Sequence, residues 1–471
     1  MRRRNKSGRQ STAVAAAWLL LLAMVASPLQ ARGEEVATAV AGPVNLLQVI
    51  NDALLASPQL QSARAEYATA KQLLPETRAR LYPQLSLFGT ADWVRDSVEG
   101  DYYGLVSFER SDTYPRYVYG ATLRQSVFSG PLLAALDQSE QRVARAKAEA
   151  ERKQESLLLN VADAYFALLA VKDRERIAGI KLRTLRQQAE QVSGRAAAGL
   201  ALDAELKTAQ AGAELASAEQ LTAQTQVEAA FAVLESLTGK AYRELLPLAA
   251  NASLKRPQPD EAAVWTERAG RQNLDVTVRA LELEVAKLEA ERLRRGRWPQ
   301  LDLVGSVYEI DNGGGISGER DEGDQRIGLA ATLPLFTGGR LSAEIERGVQ
   351  QVKRAEADLA AARAQAEREA KVAWLNLSAG TQRIQALQKA VSAARAAEEA
   401  NRAGFEVGTR TNAEVLDAIE QLAEAETNLS GARYKFIIDS LHLKSAAGAL
   451  LNADLAQINR LLRAESAAAR P

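Results

Sequence analysis

Two long stretches of the chain carry apolar residues at alternating spacings of four and three. They cover residues 132–246 and 335–470, and neither contains a proline. Both are rich in residues that favour the helix, whereas an internal proline would cost about 3 kcal/mol. This spacing forms an apolar seam for helix packing, so it predicts long packed helices, including one from Pro131 to about Gly199. The seam includes Leu157, Val161, Ala164, Leu168 and Val171 in the first stretch and Ile384, Leu387, Val391 and Ala394 in the second.

Four shorter segments alternate apolar and polar residues with a period of two. This alternation is typical of a membrane strand with lipid on one face and water on the other, although a half-buried strand of a soluble sheet shows it too. Aromatic residues favour the membrane interpretation, because 13 of the 24 lie within 82–128 and 298–336 and many fall at strand ends. The predicted strands are residues 83–94, 116–128, 299–309 and 325–336.

Each predicted strand pair is joined by a polar segment, residues 96–115 in the first pair and 311–323 in the second. We expect both segments to be water-exposed loops. In lipid every backbone N–H and C=O group must be paired, so a membrane sheet has to close on itself. Barrels have at least eight strands, and four strands therefore predict that several chains share one barrel. The pattern alone does not choose between two, three and four chains.

The two halves of the chain are copies of one unit. RLYPQLSL at 80–87 resembles RWPQLDL at 297–303, and VFSG at 127–130 resembles LFTG at 335–338, roughly 210 residues further on. A proline-containing segment lies between the copies. The predicted organisation is a first repeat at 45–240, a connecting segment at 241–261, a second repeat at 262–450 and a C-terminal tail at 451–471.

Residues 1–31 are predicted to be a signal peptide. Five basic residues lie within positions 2–9, and an uninterrupted apolar stretch follows at 13–26. Residues 27–31 then supply a turn and a small residue, Ala31, for cleavage. An uncleaved anchor is the alternative. However, the apolar stretch of about 14 residues is shorter than the roughly 20 needed to cross a bilayer. We therefore expect the chain to be exported and then cleaved.

The composition offers little material for catalysis. The 59 basic and 59 acidic residues cancel, so bulk charge does not point to a nucleic acid partner. The chain has no cysteine, which excludes disulfides and thiolate chemistry. The single histidine, His442, lies in an apolar helical run and is predicted to be a buried or half-buried packing residue rather than a catalytic one. With no phosphate loop or nucleophile–base pair either, we expect no enzyme, no cofactor and no metal site.

Several motifs resemble those of the TolC family of outer-membrane channels. The most specific is FEVGTRTNAEVLDA at 405–418, supported by ARYK at 432–435, LKSAAG at 443–448 and LPLFTGG at 333–339. The resemblance implies a mixed α+β membrane protein of the Gram-negative outer membrane. Three protomers with four strands each would form a 12-stranded barrel, continued by an α-helical tunnel across the periplasm.

The resemblance also implies a function and its partners. The chain would be the exit duct of a tripartite type I secretion or multidrug efflux system, passing protein or small molecules to the exterior. It would work with a periplasmic adaptor and an inner-membrane transporter of the ABC or RND type. The alternative is a periplasmic adaptor protein, which would need one helical hairpin between soluble β-modules.

The resemblance places a gate at the periplasmic entrance. Glu414 and Asp417 match two acidic residues that face the pore, and their spacing of three puts both on one helix face. Three copies would favour cations, and mutual repulsion would raise some carboxylate pKa values. Arg410 matches a gate arginine, and Glu205 falls where the family has its acidic partner on a neighbouring helix. Phe405 replaces a tyrosine whose hydroxyl supports the same latch.

Two glycine turns are predicted at the ends of the helical hairpins, and the resemblance implies that these ends are the ones nearest the inner membrane. Gly199 with Leu200 lies in the first repeat, and Gly408 with Thr409 lies in the second. Such glycines end helices, and the resemblance implies that adaptor hairpins contact both turns.

Overall fold

The computed structural model of the protein describes residues 42–104, 106–249 and 252–462. The predicted signal peptide, residues 1–31, lies outside the described residues, and so do residues 463–471 of the predicted tail.

The two halves of the chain contain helices and strands in the same order. The first contains α1 (Leu46–Ala56), α2 (Pro58–Ala79), β1 (Gln84–Tyr102), β2 (Val106–Ser129), α3 (Gly130–Ala197) and α4 (Asp203–Thr238). The second contains α5 (Ala262–Gln272), α6 (Leu274–Arg295), β3 (Gln300–Asn312), β4 (Arg320–Thr332), α7 (Arg340–Glu406) and α8 (Asn412–Ala446), and α9 (Asn452–Asn459) follows. The predicted mixed α+β class, with duplicated strand pairs and long helices, is confirmed.

The two longest helices, α3 and α7, have 68 and 67 residues. At about 1.5 Å per residue, each is roughly 100 Å long. Strand β2 passes directly into α3, because Ser129 ends the strand and also caps the helix by accepting a hydrogen bond from the Leu132 amide, at 3.4 Å. Within the described parts of the chain, no helix is long and apolar enough to cross a bilayer.

The four strands form one antiparallel sheet in the order β1-β2-β3-β4. The first hairpin is longer than predicted. Most of the expected loop at 96–115 is strand, because β1 and β2 stay paired from Gln84↔Arg124 to Tyr102↔Val106. On the face that carries Trp93 the residues become polar there, as at Ser97 and Glu99, whereas apolar residues such as Val98 and Val106 fall on the opposite face. The alternation therefore reverses its phase while the backbone pairing continues. Strand β4 ends at Thr332 rather than at 336, since Pro334 has no N–H group for the ladder.

One face of the sheet exposes large apolar side chains. Leu87 is 83% exposed, Trp93 78%, Ile327 78% and Leu329 66%. All four lie on the same face in the strand register. The opposite face carries mainly polar residues, including Thr90, Asp92, Thr122, Ser306 and Arg326.

The main core lies where the connecting segment and the C-terminal region pack against the middle of α3. Tyr165 and Phe166 of α3 are fully buried. The Tyr165 hydroxyl lies 2.9 Å from the Leu246 carbonyl oxygen and 3.1 Å from that of Val44. Leu455 of α9 is 2% exposed and belongs to the same cluster. The segment predicted to be a tail is therefore part of the core as far as residue 462.

His442 was predicted to be a buried or half-buried packing residue, and its side chain is 44% exposed. Its neighbours Leu441 and Leu443 are 1% exposed, but His442 lies on the outer side of α8. The His442 Nε2 atom is 3.0 Å from Asp163 Oδ2 of α3. The hydrogen bond to Asp163 outweighs partial burial and raises the pKa of His442 above its usual 6.5.

The pair between His442 and Asp163 should stabilise the fold in acid only. Because the folded pKa of His442 is raised, its contribution is complete below the unfolded pKa and is lost as pH rises through the folded pKa. We expect His442→Gln to lower the melting temperature at about pH 5.5 and to change it little at about pH 9. Thermal unfolding of both proteins at both pH values measures this. An equal decrease at the two pH values would contradict the assignment.

Candidate functional site

The first hairpin tip is a glycine turn between α3 and α4. Gly199 adopts a left-handed conformation with φ of 74°, which favours glycine over other residues. The Leu200 amide donates to the Arg195 carbonyl at 2.8 Å, and the Gly199 amide donates to Ala196 at 2.9 Å. These two bonds form a Schellman motif. Leu200 itself is 70% exposed, so it is available for contact with another molecule.

The second tip repeats the same motif between α7 and α8. Gly408 has φ of 82°, its amide donates to Phe405, and the Thr409 amide donates to the Gly404 carbonyl at 2.8 Å. A Cβ atom on Gly404 would lie only 2.5 Å from Arg410 Cγ. Gly404 thus allows the Arg410 side chain to lie against the last turn of α7, a role that the sequence motif did not reveal.

Arg195 joins the two tips. Its Nη1 donates to the Phe405 carbonyl oxygen at 2.8 Å, and its guanidinium carbon lies 4.7 Å from the centre of the Phe405 ring. Phe405 is only 5% exposed. A cation over an aromatic face is attracted by the ring quadrupole, so one arginine holds both the backbone and the ring of the other hairpin. Sequence reasoning missed Arg195, because it lies 210 residues from its partner.

An apolar cluster underlies this contact and includes residues of α3, α4, α7 and α8. Beside it, the Gln188 amide donates to Asn412 Oδ1 at 2.8 Å, with both residues almost fully buried. Packing rather than charge therefore forms most of the contact between the hairpins. The buried members are Leu182, Leu185, Val192, Ala209, Ala213, Ala216, Phe405, Val415 and Ile419.

Glu414 is engaged in a capping box at the start of α8. Its Oε2 accepts from the Thr411 amide at 2.7 Å, and its Oε1 accepts from Arg410 Nη1 at 2.5 Å. The Thr411 backbone hydrogen bond, followed by the Arg410 contact, lowers the pKa of Glu414 to about 2. Mutual repulsion was expected to raise carboxylate pKa values here. Within the protomer the direction for Glu414 is the opposite, because local donors dominate.

Arg410 contacts Glu414 of its own hairpin rather than Glu205. Glu205 is half-buried in the first turn of α4. The predicted pair is thus not formed within one chain, because the helix cap places a carboxylate closer to Arg410. The latch between Arg410 and Glu205 of neighbouring helices stays a prediction for the assembled channel. Asp417 is exposed one turn after Glu414, and its Oδ2 accepts from Gln421 at 2.7 Å.

Lys181 links three helices further from the tips. It lies in α3, its side chain is 8% exposed, and its Nζ lies 2.7 Å from Glu219 Oε2 of α4 and also contacts Glu420 of α8. Burial by itself lowers the pKa of Lys181, but the hydrogen bonds to the two carboxylates outweigh it and raise the pKa above its usual value. Lys181 therefore stays charged and ties both hairpins to α3.

The arrangement is suited to contact and gating. Over the ranges that the structure describes, no group of three or more histidine, cysteine, aspartate or glutamate side chains is placed to hold a metal ion. The tips combine exposed turns with a packed joint between hairpins.

Comparison with known proteins gives consistent matches over most of the chain. The family model for outer membrane efflux proteins matches residues 49–240 and 265–449, one range in each repeat. The outer membrane protein TolC of Vibrio cholerae is 29% identical over 427 residues, covering 89% of this chain and 94% of that protein. The alkaline protease secretion protein AprF of Pseudomonas aeruginosa is 26% identical over 423 residues, covering 88% and 86%.

A solved structure shows the same fold. The outer membrane protein VceC of Vibrio cholerae superposes with a TM-score of 0.73 at 22% identity, and the match covers 86% of this chain and 96% of that chain.

Proposed function

Because the chain belongs to the outer membrane efflux protein family, we propose that its two hairpin tips form the periplasmic entrance of a trimeric channel. The protein is an outer-membrane exit channel of the kind that serves efflux and type I secretion systems, and its helices extend into the periplasm. Channels of this family form trimers and work with adaptor proteins and inner-membrane transporters. The family and the relatives are channel proteins rather than enzymes.

The observation that carries a shared barrel is the open sheet with one apolar face, and the number of three chains comes from the family. Strands β1 and β4 each have one unpaired edge, and exposed edges invite pairing with another chain. Pairing β4 of one protomer with β1 of the next would close three sheets of four strands into a barrel of twelve. The face with Leu87, Trp93, Ile327 and Leu329 then meets lipid, and the polar face lines the interior.

The periplasmic adaptor is not favoured as an alternative. An adaptor would have one helical hairpin between soluble β-modules, whereas this chain has two hairpins joined through one continuous four-stranded sheet.

The entrance is acidic in this proposal. Glu414 and Asp417 lie within one turn of each other at the start of α8, directly after the second tip. Three copies of each would surround the narrow end of the tunnel and attract cations. Within each protomer, the hydrogen bonds that lower the pKa of Glu414 to about 2 favour its charged form.

Partners would bind at the exposed tips. Leu200 and Thr409 follow the two turn glycines and are exposed, so adaptor hairpins have an accessible surface there. An ABC or RND transporter would supply the energy, and protein or small molecules would be the cargo. The likeness to AprF, which is named for protease secretion, supports the protein-secreting form.

Selectivity measurements test the acidic entrance. We expect Glu414→Gln combined with Asp417→Asn to weaken cation preference and block by polyvalent cations in planar bilayers. Glutamine can still serve in a capping box, so the turn should be retained. Glu424→Gln removes an exposed charge further along α8 and serves as the control. Unchanged selectivity and block in the double variant would place both residues off the pore.

A further inference from the structure

The loop between β3 and β4 folds back onto the sheet. We call residues 313–319 the outer strap. The Gly313 amide donates to the Pro115 carbonyl at 2.9 Å, and the Gly315 amide donates to Asp112 Oδ2 at 2.8 Å. The Gly318 amide donates to Gly315 at 2.9 Å and closes the turn. A loop expected to be water-exposed is therefore tied to strand β2 at two points.

Tyr114 is the platform beneath the outer strap. At 9% exposure, it is the only buried apolar side chain among the described residues of the four strands. Its hydroxyl donates to Asp96 Oδ2 at 2.7 Å. Cβ atoms on Gly314 and Gly315 would lie 2.9 Å from Tyr114 Cβ and Cε1. Only glycine permits this approach, so the glycine run allows a packed contact with the ring.

The outer strap lies on the polar face of the sheet. In the β1–β2 register Asp96 pairs with Asp112 and Val94 with Tyr114, one position away from Trp93 and Pro115. Because successive side chains point to opposite faces, Asp112 and Tyr114 face away from Trp93, which belongs to the exposed apolar face. The strap is also at the end of the sheet remote from α3, since β2 enters that helix at its other end.

We propose that the outer strap is a gate at the exterior mouth of the channel. This inference rests on the proposed function, in which the polar face lines the interior. Three straps would then project into the mouth and narrow it. Few contacts hold each one, and residues 317–319 are exposed. Release of the Gly315 amide from Asp112 and of the glycine run from Tyr114 lets the strap swing outward and widens the mouth for bulky cargo.

A cysteine placed inside the mouth tests the gate. The chain has no cysteine of its own, and Thr122 is exposed on the polar face, nearer the helices than the strap. Thr122→Cys on intact cells is treated with a small methanethiosulfonate or with a maleimide carrying a polyethylene glycol chain. We expect Asp112→Ala to speed the bulky reagent several-fold and to leave the small one unchanged. Asp112→Asn keeps a carbonyl acceptor for the Gly315 amide and should stay close to the parent rate.

Two further variants complete the design. Tyr114→Ala removes the platform and should act like Asp112→Ala. Asp92→Ala removes a carboxylate from the same face below the strap and should leave both rates unchanged. A bulky-reagent rate that neither Asp112→Ala nor Tyr114→Ala changes, or that Asp92→Ala raises equally, overturns the gate alone. If the small reagent fails to label Thr122→Cys, the polar face is not the interior, and the proposed function fails together with the gate.

Discussion

Replacing Leu329 with arginine is expected to prevent formation of a stable trimer in the outer membrane. Leu329 lies on strand β4, at one edge of the sheet, and its side chain is 66% exposed on the apolar face. An arginine on the lipid face of a membrane strand costs about 2–4 kcal/mol near the bilayer midplane. A trimer carries this cost three times. Heat-modifiable migration and outer-membrane fractionation measure the loss.

Ala330→Arg is the matched control for this change. Ala330 is the next residue of β4, and its side chain points to the opposite face, where it pairs in register with Asp302. Arginine there would meet water and a carboxylate, so we expect normal assembly. Trimers of equal stability in both variants would mean that the exposed apolar face does not contact lipid. The barrel assignment would then be wrong.

Truncating Phe405 to alanine is expected to open the resting entrance and raise single-channel conductance several-fold. Phe405 is 5% exposed and belongs to the cluster that joins the two hairpins. Loss of a buried phenylalanine typically costs about 3–5 kcal/mol, and Arg195 also loses the ring beneath its guanidinium. That loss exceeds the 0–1 kcal/mol typical of an exposed ion pair. Breaking the pair between Arg410 and Glu414 should therefore have less effect.

Val407→Ala controls for nonspecific loosening of the turn. Val407 lies two residues from Phe405, but its side chain is 75% exposed and lies outside the cluster. We expect its conductance to match that of the parent protein in planar bilayers. If Phe405→Ala also keeps the parent conductance while the trimer remains intact, the joint between the tips does not hold the entrance closed.

The fold was largely predictable because its signals are periodic and local. Proline-free stretches with heptad spacing predicted α3 and α7, and alternation predicted the four strands. The strand ends were less accessible. Between Asp96 and Asp112 the face that carries Trp93 becomes polar and the apolar residues fall on the opposite face, so the alternation loses its phase although the backbone ladder continues. Backbone pairing contributes to structure without leaving a side-chain pattern.

Only the residues of the candidate site that belong to a short sequence motif could be predicted. The turn glycines Gly199 and Gly408 stand out because a left-handed helix cap favours glycine. The contacts of Arg195 with Phe405 and of Gln188 with Asn412 join residues more than 200 positions apart. No spacing rule reveals such pairs. The pairing of Arg410 with Glu414 was missed for another reason, since the resemblance drew attention to Glu205 rather than to the local cap.

Because β2 passes directly into α3, a change in the direction of the strand displaces the far end of the helix. No linker separates Ser129 from Gly130, so the direction of the strand sets the direction of a rod of 68 residues. At roughly 100 Å, a tilt of about one degree at the membrane displaces the far end by nearly 2 Å. Thickness or curvature of the bilayer that changes strand tilt would therefore move Gly199 by distances comparable to a hydrogen bond. The lipid surroundings of the sheet would thus bias the width of the aperture at the distant tips.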